Sequence, residues 1–412
     1  MKGTLSRRAF LTVPALAQAA PPAIRREVFR ASPKEGVAVM AYAWYTSARG
    51  GSMTSIEQHW TRSDTIDVAY IRRSRDHGVT WGEPEEMRTG EHTQGGMLRR
   101  HPRAGFIDPP TGRYIEFWTE GVLPTDDPLE GMRRWNIFYR TGGVKQQIIH
   151  TSAEFNATHA LPGVFTGKNC VMLGDMPFVP LSMPDGGIAV PIQMTPLGPD
   201  GKLYNPTGAY TYTEVAVLHG RWQDGKLQWE MSQPIKADPA RATRGMDEPT
   251  VQTLNDGRLL MLLRGSNDRR PELPSHRWAA FSRDGGRRWT EPQPWTYDDG
   301  TSFFSPSACS QLLRHSSSRL FWLGNITPEN PRGNRPRYPF VVGEVDRTTG
   351  LLLRSTVQIV DTLQAGEDPV LSLSNFHARE DRRTREVIVH MTRLFARPQV
   401  WAGDAYLYRV RV

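Results

Sequence analysis

The pattern Ser-x-Asp-x-Gly-x-x-Trp occurs twice in the chain, at residues 74–81 and 282–289. Each copy follows an apolar run typical of a β-strand, at 66–71 and 278–281. The Ser and Asp side chains can accept hydrogen bonds from backbone amides in a tight turn, and the Gly can adopt a positive φ. The Trp can then cover the turn with a large apolar ring. Two copies in one chain therefore predict a repeated β-hairpin.

The spacing of hairpins along the chain predicts an all-β fold. Strand–turn–strand patterns with Asp-Gly turns recur, most clearly at 179–193 and 250–263. The two copies of the Trp pattern lie 208 residues apart, which accommodates about four blades of ~40–50 residues. We therefore predict a six-bladed β-propeller in one domain, with five or seven blades as the alternatives. Closing the ring through both termini would remove exposed sheet edges.

The repeated pattern resembles the Asp-box, or BNR repeat, of the sialidase (neuraminidase) superfamily, and the chain is identified as a divergent member. In sialidases a Glu opens one hairpin and an Arg ends it, as Glu248 and Arg264 do here, 16 residues apart. The resemblance implies that Arg264 binds the carboxylate of the substrate and that Glu248 assists the nucleophile. The alternative is a structural ion pair at a strand end.

Two further stretches carry the resemblance. Asp64 occupies the loop in which sialidases place their general acid/base, a role that requires a raised pKa and shelter from water; Trp60 is the predicted shelter. Arg337, and as the second choice Arg335, precede the strand at 340–345, where sialidases place another carboxylate-binding Arg. Guanidinium groups suit a planar carboxylate because they bind it through two parallel hydrogen bonds. The alternatives are a solvated loop Asp and a basic surface loop.

Two parts of the sialidase pattern are missing. The strand at 37–46 has no Arg where the family has the first of three, and Arg49 is a poor substitute. Leu373 stands where the family has its nucleophilic Tyr. The retaining sialidase mechanism therefore cannot be transferred to this chain as a whole.

These residues predict a sialidase-like exo-glycosidase that acts on a terminal, acidic sugar of a glycan. Asp64 and Glu248 are the predicted catalytic residues, and the predicted substrate-binding residues are Arg264, Arg337, Arg335 and His59. One alternative is a non-catalytic carbohydrate-binding propeller. Another is a uronate polysaccharide lyase on the same fold, in which a His or Tyr removes a proton beside the uronate carboxylate, with His59 as a candidate.

Residues 1–20 resemble a twin-arginine export signal, with Arg7-Arg8 before an apolar segment and a small-residue pattern at 17–19. The alternative is a basic tail. We predict removal of this segment, a propeller over residues 21–412 and a periplasmic or secreted location. The net charge of +8 includes no dense basic block, which argues against nucleic-acid binding.

The chain has only two cysteines, Cys170 and Cys309, which excludes a Cys-rich metal site. Either they pair after export or they are two buried thiols. No run of eighteen apolar residues occurs, so no membrane span is predicted. We expect no cofactor and no bound metal, a glycan or oligosaccharide as partner, and a monomer.

Overall fold

The computed structural model describes residues 23–142, 145–148, 161, 163–165, 167–397 and 400–412. The predicted export signal at 1–20 lies outside the described residues. In the described part of the chain, no helix combines the length and apolarity needed to cross a membrane.

The strands form six antiparallel sheets, arranged as the blades of a β-propeller. Strand β1 (Ile24–Arg30) belongs to the sixth blade. Blade 1 contains β2 (Ala38–Tyr45), β3 (Met53–Trp60), β4 (Val68–Ser74) and β5 (Glu85–Met87). Blade 2 contains β6 (Gly90–Thr93), β7 (Gly96–Pro102), β8 (Phe106–Ile107), β9 (Tyr114–Leu123), β10 (Asn136–Thr141) and β11 (Lys145–Ile148). Between β9 and β10 lie a 3₁₀ turn (Pro128–Glu130) and the short helix α1 (Gly131–Arg134).

The remaining blades follow in chain order. Blade 3 contains β12 (Val171–Leu173), β13 (Leu181–Ser182), β14 (Ile188–Met194), β15 (Glu214–Gln223) and β16 (Lys226–Met231). Blade 4 contains β17 (Asp247–Thr253), β18 (Leu259–Arg264), β19 (Arg277–Ser282) and β20 (Gln293–Pro294). Blade 5 contains β21 (Gln311–Arg314), β22 (Leu320–Asn325), β23 (Phe340–Val345) and β24 (Gln358–Asp361), with a 3₁₀ turn at Arg354–Thr356. Blade 6 contains β25 (Phe376–Glu380), β26 (Val387–Thr392), β27 (Ala405–Val410) and β1.

The six-bladed prediction is confirmed, and the closure through both ends of the chain is confirmed with it. Strand β1 pairs antiparallel with β27, with Ile24 opposite Val410. The sequence did not reveal β1 as a strand, because Ile24–Arg30 is rich in charge and largely exposed. Pairing with β27 covers an edge of blade 6 that would otherwise be free to pair with another chain.

Apolar side chains fill the spaces between neighbouring blades. Blades 4 and 5, for example, share a cluster that contains Leu262, Trp295, Trp322 and Leu352. Complete burial of each such side chain contributes about 1.5–3 kcal/mol. All eight residues of β2 are buried, as expected for an innermost strand. This packing holds the blades in place, so the loops at the ends of the inner strands meet around one axis.

The two Trp-containing turns have the same internal hydrogen bonds. In each, the Ser hydroxyl accepts from the amide of the Gly at 2.8–2.9 Å, and the Asp carboxylate accepts at 2.9 Å from the amide of the residue before the Trp. The turns follow β4 and β19, the third strands of blades 1 and 4, and none of their residues lines the cavity described below. They are features of the fold rather than of the site. Cys170 and Cys309 are both buried, free thiols.

Candidate functional site

A cavity of about 660 Å³ lies at the hub of the propeller. Every blade contributes to its wall, which places it on the axis. The lining includes charged and aromatic residues: Trp60, Asp64, Arg103, Trp135, Asp175, Tyr210, Arg244, Asp247, Glu248, Arg264, Arg335 and Arg337. Five of the six predicted site residues therefore lie in one cavity, and His59 is the exception.

The predicted pair Glu248 and Arg264 forms an ion pair inside this cavity. Asp247 is opposite Arg264 in the β17–β18 ladder, and the register then shifts before Thr250. Glu248 lies in this irregular stretch with a φ of 45°. A bulge of this kind re-aims a side chain. The Arg264 Nη1 atom lies 2.6 Å from the Glu248 Oε1 atom, and the two side chains are only 12% and 13% exposed.

Two opposing effects are the largest in the electrostatics of Glu248. Burial raises the pKa of its carboxyl group, and the Arg264 guanidinium opposes that rise. The second carboxylate oxygen, Oε2, is buried and has no hydrogen-bond partner among the described residues. Glu248 is therefore held by one oxygen only.

Arg337 provides a cation that no described carboxylate neutralises through an ion pair. Its Nη2 atom donates to the Ser307 carbonyl at 2.8 Å, while its Nε atom is buried without a partner among the described residues. Ser307 also links it to Arg264, whose Nε atom donates to the Ser307 hydroxyl at 2.8 Å. Burial and the neighbouring Arg264 lower the pKa of Arg337 to about 10, so it remains charged at pH 7. The cavity thus has in its wall a guanidinium that no described carboxylate contacts in an ion pair, although the Glu248 and Asp175 charges favour its charged form.

Asp64 and Arg335 lie at the exposed side of the cavity. Asp64 follows β3 with a φ of 57°, and its Oδ2 atom accepts from the Ser63 hydroxyl at 3.0 Å. Trp60 is buried and lines the same cavity. The predicted shelter of Asp64 by Trp60 is wrong, because the left-handed residue Asp64 lies in the loop beyond the strand end, where its side chain is exposed.

His59 does not reach the cavity. Its Nε2 atom lies 2.9 Å from the Glu57 Oε1 atom, and its ring contacts Tyr70. Successive residues of a strand point to opposite faces. Because Trp60 faces the cavity, the preceding residue of β3 faces away from it. The prediction of His59 as a substrate-binding residue therefore has no geometric support.

Sequence reasoning missed Arg103 and Asp175. Arg103 follows β7, and its Nε atom donates to the Gly174 carbonyl at 2.6 Å. Asp175 is the next residue after Gly174, in the segment that follows β12. The available signal was a polar residue directly after a short apolar strand, but such residues are common in the chain. Leu373, at the position of the family Tyr, is fully buried in the core of blades 5 and 6.

Within the described residues, no cluster of three or more His, Cys, Asp or Glu side chains is arranged to hold a metal ion. Most ionisable groups of the cavity are carboxylates and guanidiniums, and His101 and Tyr210 also line it. Such groups can transfer protons and hold an anion without a bound ion of their own.

A family model described as the BNR repeat-like domain matches residues 153–363, just over half of the chain. No curated protein sequence matches at a significant level. Among solved structures, a protein of unknown function from Dyadobacter fermentans is similar, with a TM-score of 0.60 and 14% identity. The alignment covers 95% of this chain and 100% of that one.

Two enzymes with solved structures share the architecture. The sialidase of Trypanosoma rangeli, solved with the inhibitor DANA, has a TM-score of 0.57 and 11% identity, over 94% of this chain and 60% of that one. The α-L-arabinanase of Penicillium chrysogenum, solved with arabinobiose, has a TM-score of 0.55 and 13% identity, over 95% and 98% of the two chains. At identities this low, the structural similarity establishes a shared fold and nothing more.

Proposed function

The chain belongs to the BNR repeat-like domain family as a divergent, sialidase-like propeller, and from that premise we propose that it is an exported exo-glycosidase that releases a terminal acidic sugar from a glycan. One observation carries the proposal. Arg337 presents a half-buried guanidinium, charged at pH 7, to the hub cavity, and no described carboxylate forms an ion pair with it. Burying a charge is costly unless it is paired, and a carboxylate on the ligand would provide that pairing.

Arg264 and Arg337 would hold the sugar carboxylate. Both are anchored on Ser307, one through its hydroxyl and the other through its carbonyl. Their guanidiniums are therefore fixed before the ligand enters, which reduces the entropy cost of binding. Arg335, at the exposed side of the cavity, would add a longer-range attraction for an anion.

Two carboxyl groups would perform the chemistry. Glycoside hydrolysis generally needs one group that protonates the leaving oxygen and another that acts at the anomeric carbon. Asp64, at the exposed side, would serve as general acid/base toward the leaving group once a bound glycan shelters it from water. Glu248, deeper in the cavity, would act at the anomeric carbon directly or through a second group. The bound ligands of the two similar enzymes, an inhibitor and arabinobiose, are consistent with a glycan as ligand.

The test is the release of 4-methylumbelliferone from terminal sialosides, uronides and arabinofuranosides by the wild type, Asp64→Asn and Asp67→Asn. Asp67 is the matched control, because it accepts hydrogen bonds from Thr61 and does not line the cavity. We expect wild-type turnover, a loss of about 100-fold or more in Asp64→Asn, and little change in Asp67→Asn. An equally active Asp64→Asn would remove Asp64 from the mechanism.

The two alternatives give different results in the same assays. Binding on a glycan array without release of any product would indicate a non-catalytic propeller. An unsaturated, ultraviolet-absorbing product would indicate a lyase; the candidate base His59 lies outside the cavity, whereas His101 and Tyr210 line it. The proposal also includes function as a monomer after removal of residues 1–20. Sizing of the secreted protein and determination of its N-terminus test that part.

A further inference from the structure

We propose that Asp175, beside Glu248, is the catalytic nucleophile of this site. This inference rests on the proposed glycosidase function and deepens it. Sequence analysis found no nucleophile, because Leu373 stands where sialidases have their nucleophilic tyrosine. Leu373 is also fully buried.

The interruption of an inner strand brings Asp175 to the axis. Strands β12 and β13 both pair with β14, so together they form one broken inner strand of blade 3. The chain leaves the sheet between them, over residues 174–180. Asp175 is the second residue of this segment, lines the hub cavity and is half-buried. A ligand in the cavity can therefore contact its carboxylate.

Asp175 lies beside Glu248. A methyl group added at Gly174 would be 3.5 Å from the Glu248 Cα atom, so the segment that carries Asp175 packs against β17. The electrostatics agree with this placement. Burial raises the pKa of Glu248 most strongly, Arg264 opposes the rise, and the Asp175 carboxylate adds to it. Two carboxyl groups in one cavity are typical of sites that cleave glycosidic bonds.

The hydrogen bonds leave one Asp175 oxygen free for the reaction. Its Oδ1 atom accepts from the Met176 amide at 2.8 Å, and Arg103 fixes the preceding Gly174 carbonyl at 2.6 Å. No described residue donates a hydrogen bond to Oδ2. Glu248 is less suited to attack, because its Oε1 atom is held in the ion pair with Arg264 and its Oε2 atom is buried.

The reaction proceeds in two displacements. In the first, the Asp175 Oδ2 atom forms a bond to the anomeric carbon while the bond from that carbon to the leaving oxygen breaks, and Asp64 gives its proton to the leaving oxygen. In the second, a water molecule gives a proton to Asp64 and bonds to the anomeric carbon. The ester bond to Asp175 breaks as this new bond forms, which frees the carboxylate. Two inversions retain the configuration of the sugar.

The experiment compares the wild type, Asp175→Ala, Asp175→Asn, Glu248→Ala and Asp185→Ala on the 4-methylumbelliferyl glycoside that the wild type cleaves fastest, with and without sodium azide. Asp185 is the matched control, an exposed aspartate paired with Arg221 outside the cavity. We expect both Asp175 variants to lose at least about 1,000-fold in kcat. Azide should restore Asp175→Ala at least about tenfold, because it occupies the space of the missing carboxylate and attacks in its place. The product should then be a glycosyl azide of inverted configuration, identified by NMR.

Other results would contradict either the assignment of Asp175 or the proposed function. An active wild type with active Asp175→Ala and Asp175→Asn would overturn the assignment and leave the glycosidase proposal intact. The same holds if azide rescues Glu248→Ala and not Asp175→Ala. If the wild type releases no product from any glycoside, the proposed function fails and the assignment with it. Asp175→Asn, which keeps the shape and the hydrogen bond to Met176, gives the answer if Asp175→Ala does not fold.

Discussion

Replacing Arg264 by Met should destabilise the protein in a pH-dependent manner. The Arg264–Glu248 ion pair is nearly buried, with Nη1 and Oε1 2.6 Å apart. The second oxygen of Glu248 has no partner among the described residues. Methionine approximates the arginine stem in volume but leaves the carboxylate buried and uncompensated. Breaking a buried pair in this way costs about 3–5 kcal/mol in the free energy of unfolding.

The sign of the pH dependence follows from Glu248. Burial already raises its pKa above the ordinary value, and Arg264 opposes the rise. Without Arg264 the folded-state pKa rises further, so the folded protein binds this proton more tightly than the unfolded chain. The penalty is therefore smallest below the unfolded pKa of about 4.3. It grows by up to about 1.4 kcal/mol per pH unit as the pH rises toward the folded pKa.

Urea denaturation at pH 5, 6.5 and 8 measures this effect in the wild type, Arg264→Met, Glu248→Gln and the double variant. We expect Arg264→Met to be penalised more at pH 8 than at pH 5, and the double variant to recover most of the loss at pH 8. The interpretation of Glu248 as a buried charge held by Arg264 is refuted if the penalty is the same at all three pH values. It is also refuted if the double variant is as unstable as Arg264→Met alone.

Three further predictions concern other residues. Arg103→Met releases the Gly174 carbonyl and should lower kcat about 10–100-fold in steady-state assays by misplacing Asp175; unchanged kcat would contradict this. Burial lowers the pKa of His377 to about 4, whereas in the unfolded chain the pKa is about 6.5. Between these two values the unfolded chain binds one proton more than the folded protein. Denaturation experiments should therefore show that the wild type loses about 2 kcal/mol of stability between pH 7 and pH 5 relative to His377→Asn. Asp284→Ala removes acceptors for two backbone amides and should cost about 1–3 kcal/mol of thermal stability with kcat/KM unchanged, since Asp284 lies outside the hub cavity.

Local sequence signals were sufficient to predict most of the fold. The Asn255-Asp256-Gly257 turn between two apolar runs predicted the β17–β18 hairpin, which the structure contains. The residues that favour such a turn are neighbours in the chain, so the turn can be predicted from a single sequence. Strand β1 was missed because its pairing partner is at the opposite end of the chain and its own composition is charged.

The candidate site was harder to predict because its parts come from different blades. Glu248 and Arg264 are joined by one hairpin, and their contact could be predicted from that connection. Arg103 follows a strand of blade 2, and Asp175 lies in the interrupted inner strand of blade 3. They are brought together by the hydrogen bond from Arg103 to the Gly174 carbonyl, which no spacing in the sequence predicts. His59 was misplaced by one residue of strand alternation, which is enough to turn a side chain to the opposite face.

The most direct test of an acidic-sugar site at the hub is a comparison of kcat/KM for paired aryl glycosides. Each pair consists of a substrate with a carboxylate, such as a glucuronide, and a neutral analogue without it, such as the glucoside; wild type and Arg337→Met are measured on both. A charged hydrogen bond of about 1.5–3 kcal/mol predicts that the wild type prefers the acidic substrate by roughly 10–150-fold, and that Arg337→Met loses this preference. Equal turnover of acidic and neutral substrates by the wild type, or an undiminished preference in Arg337→Met, would contradict the account.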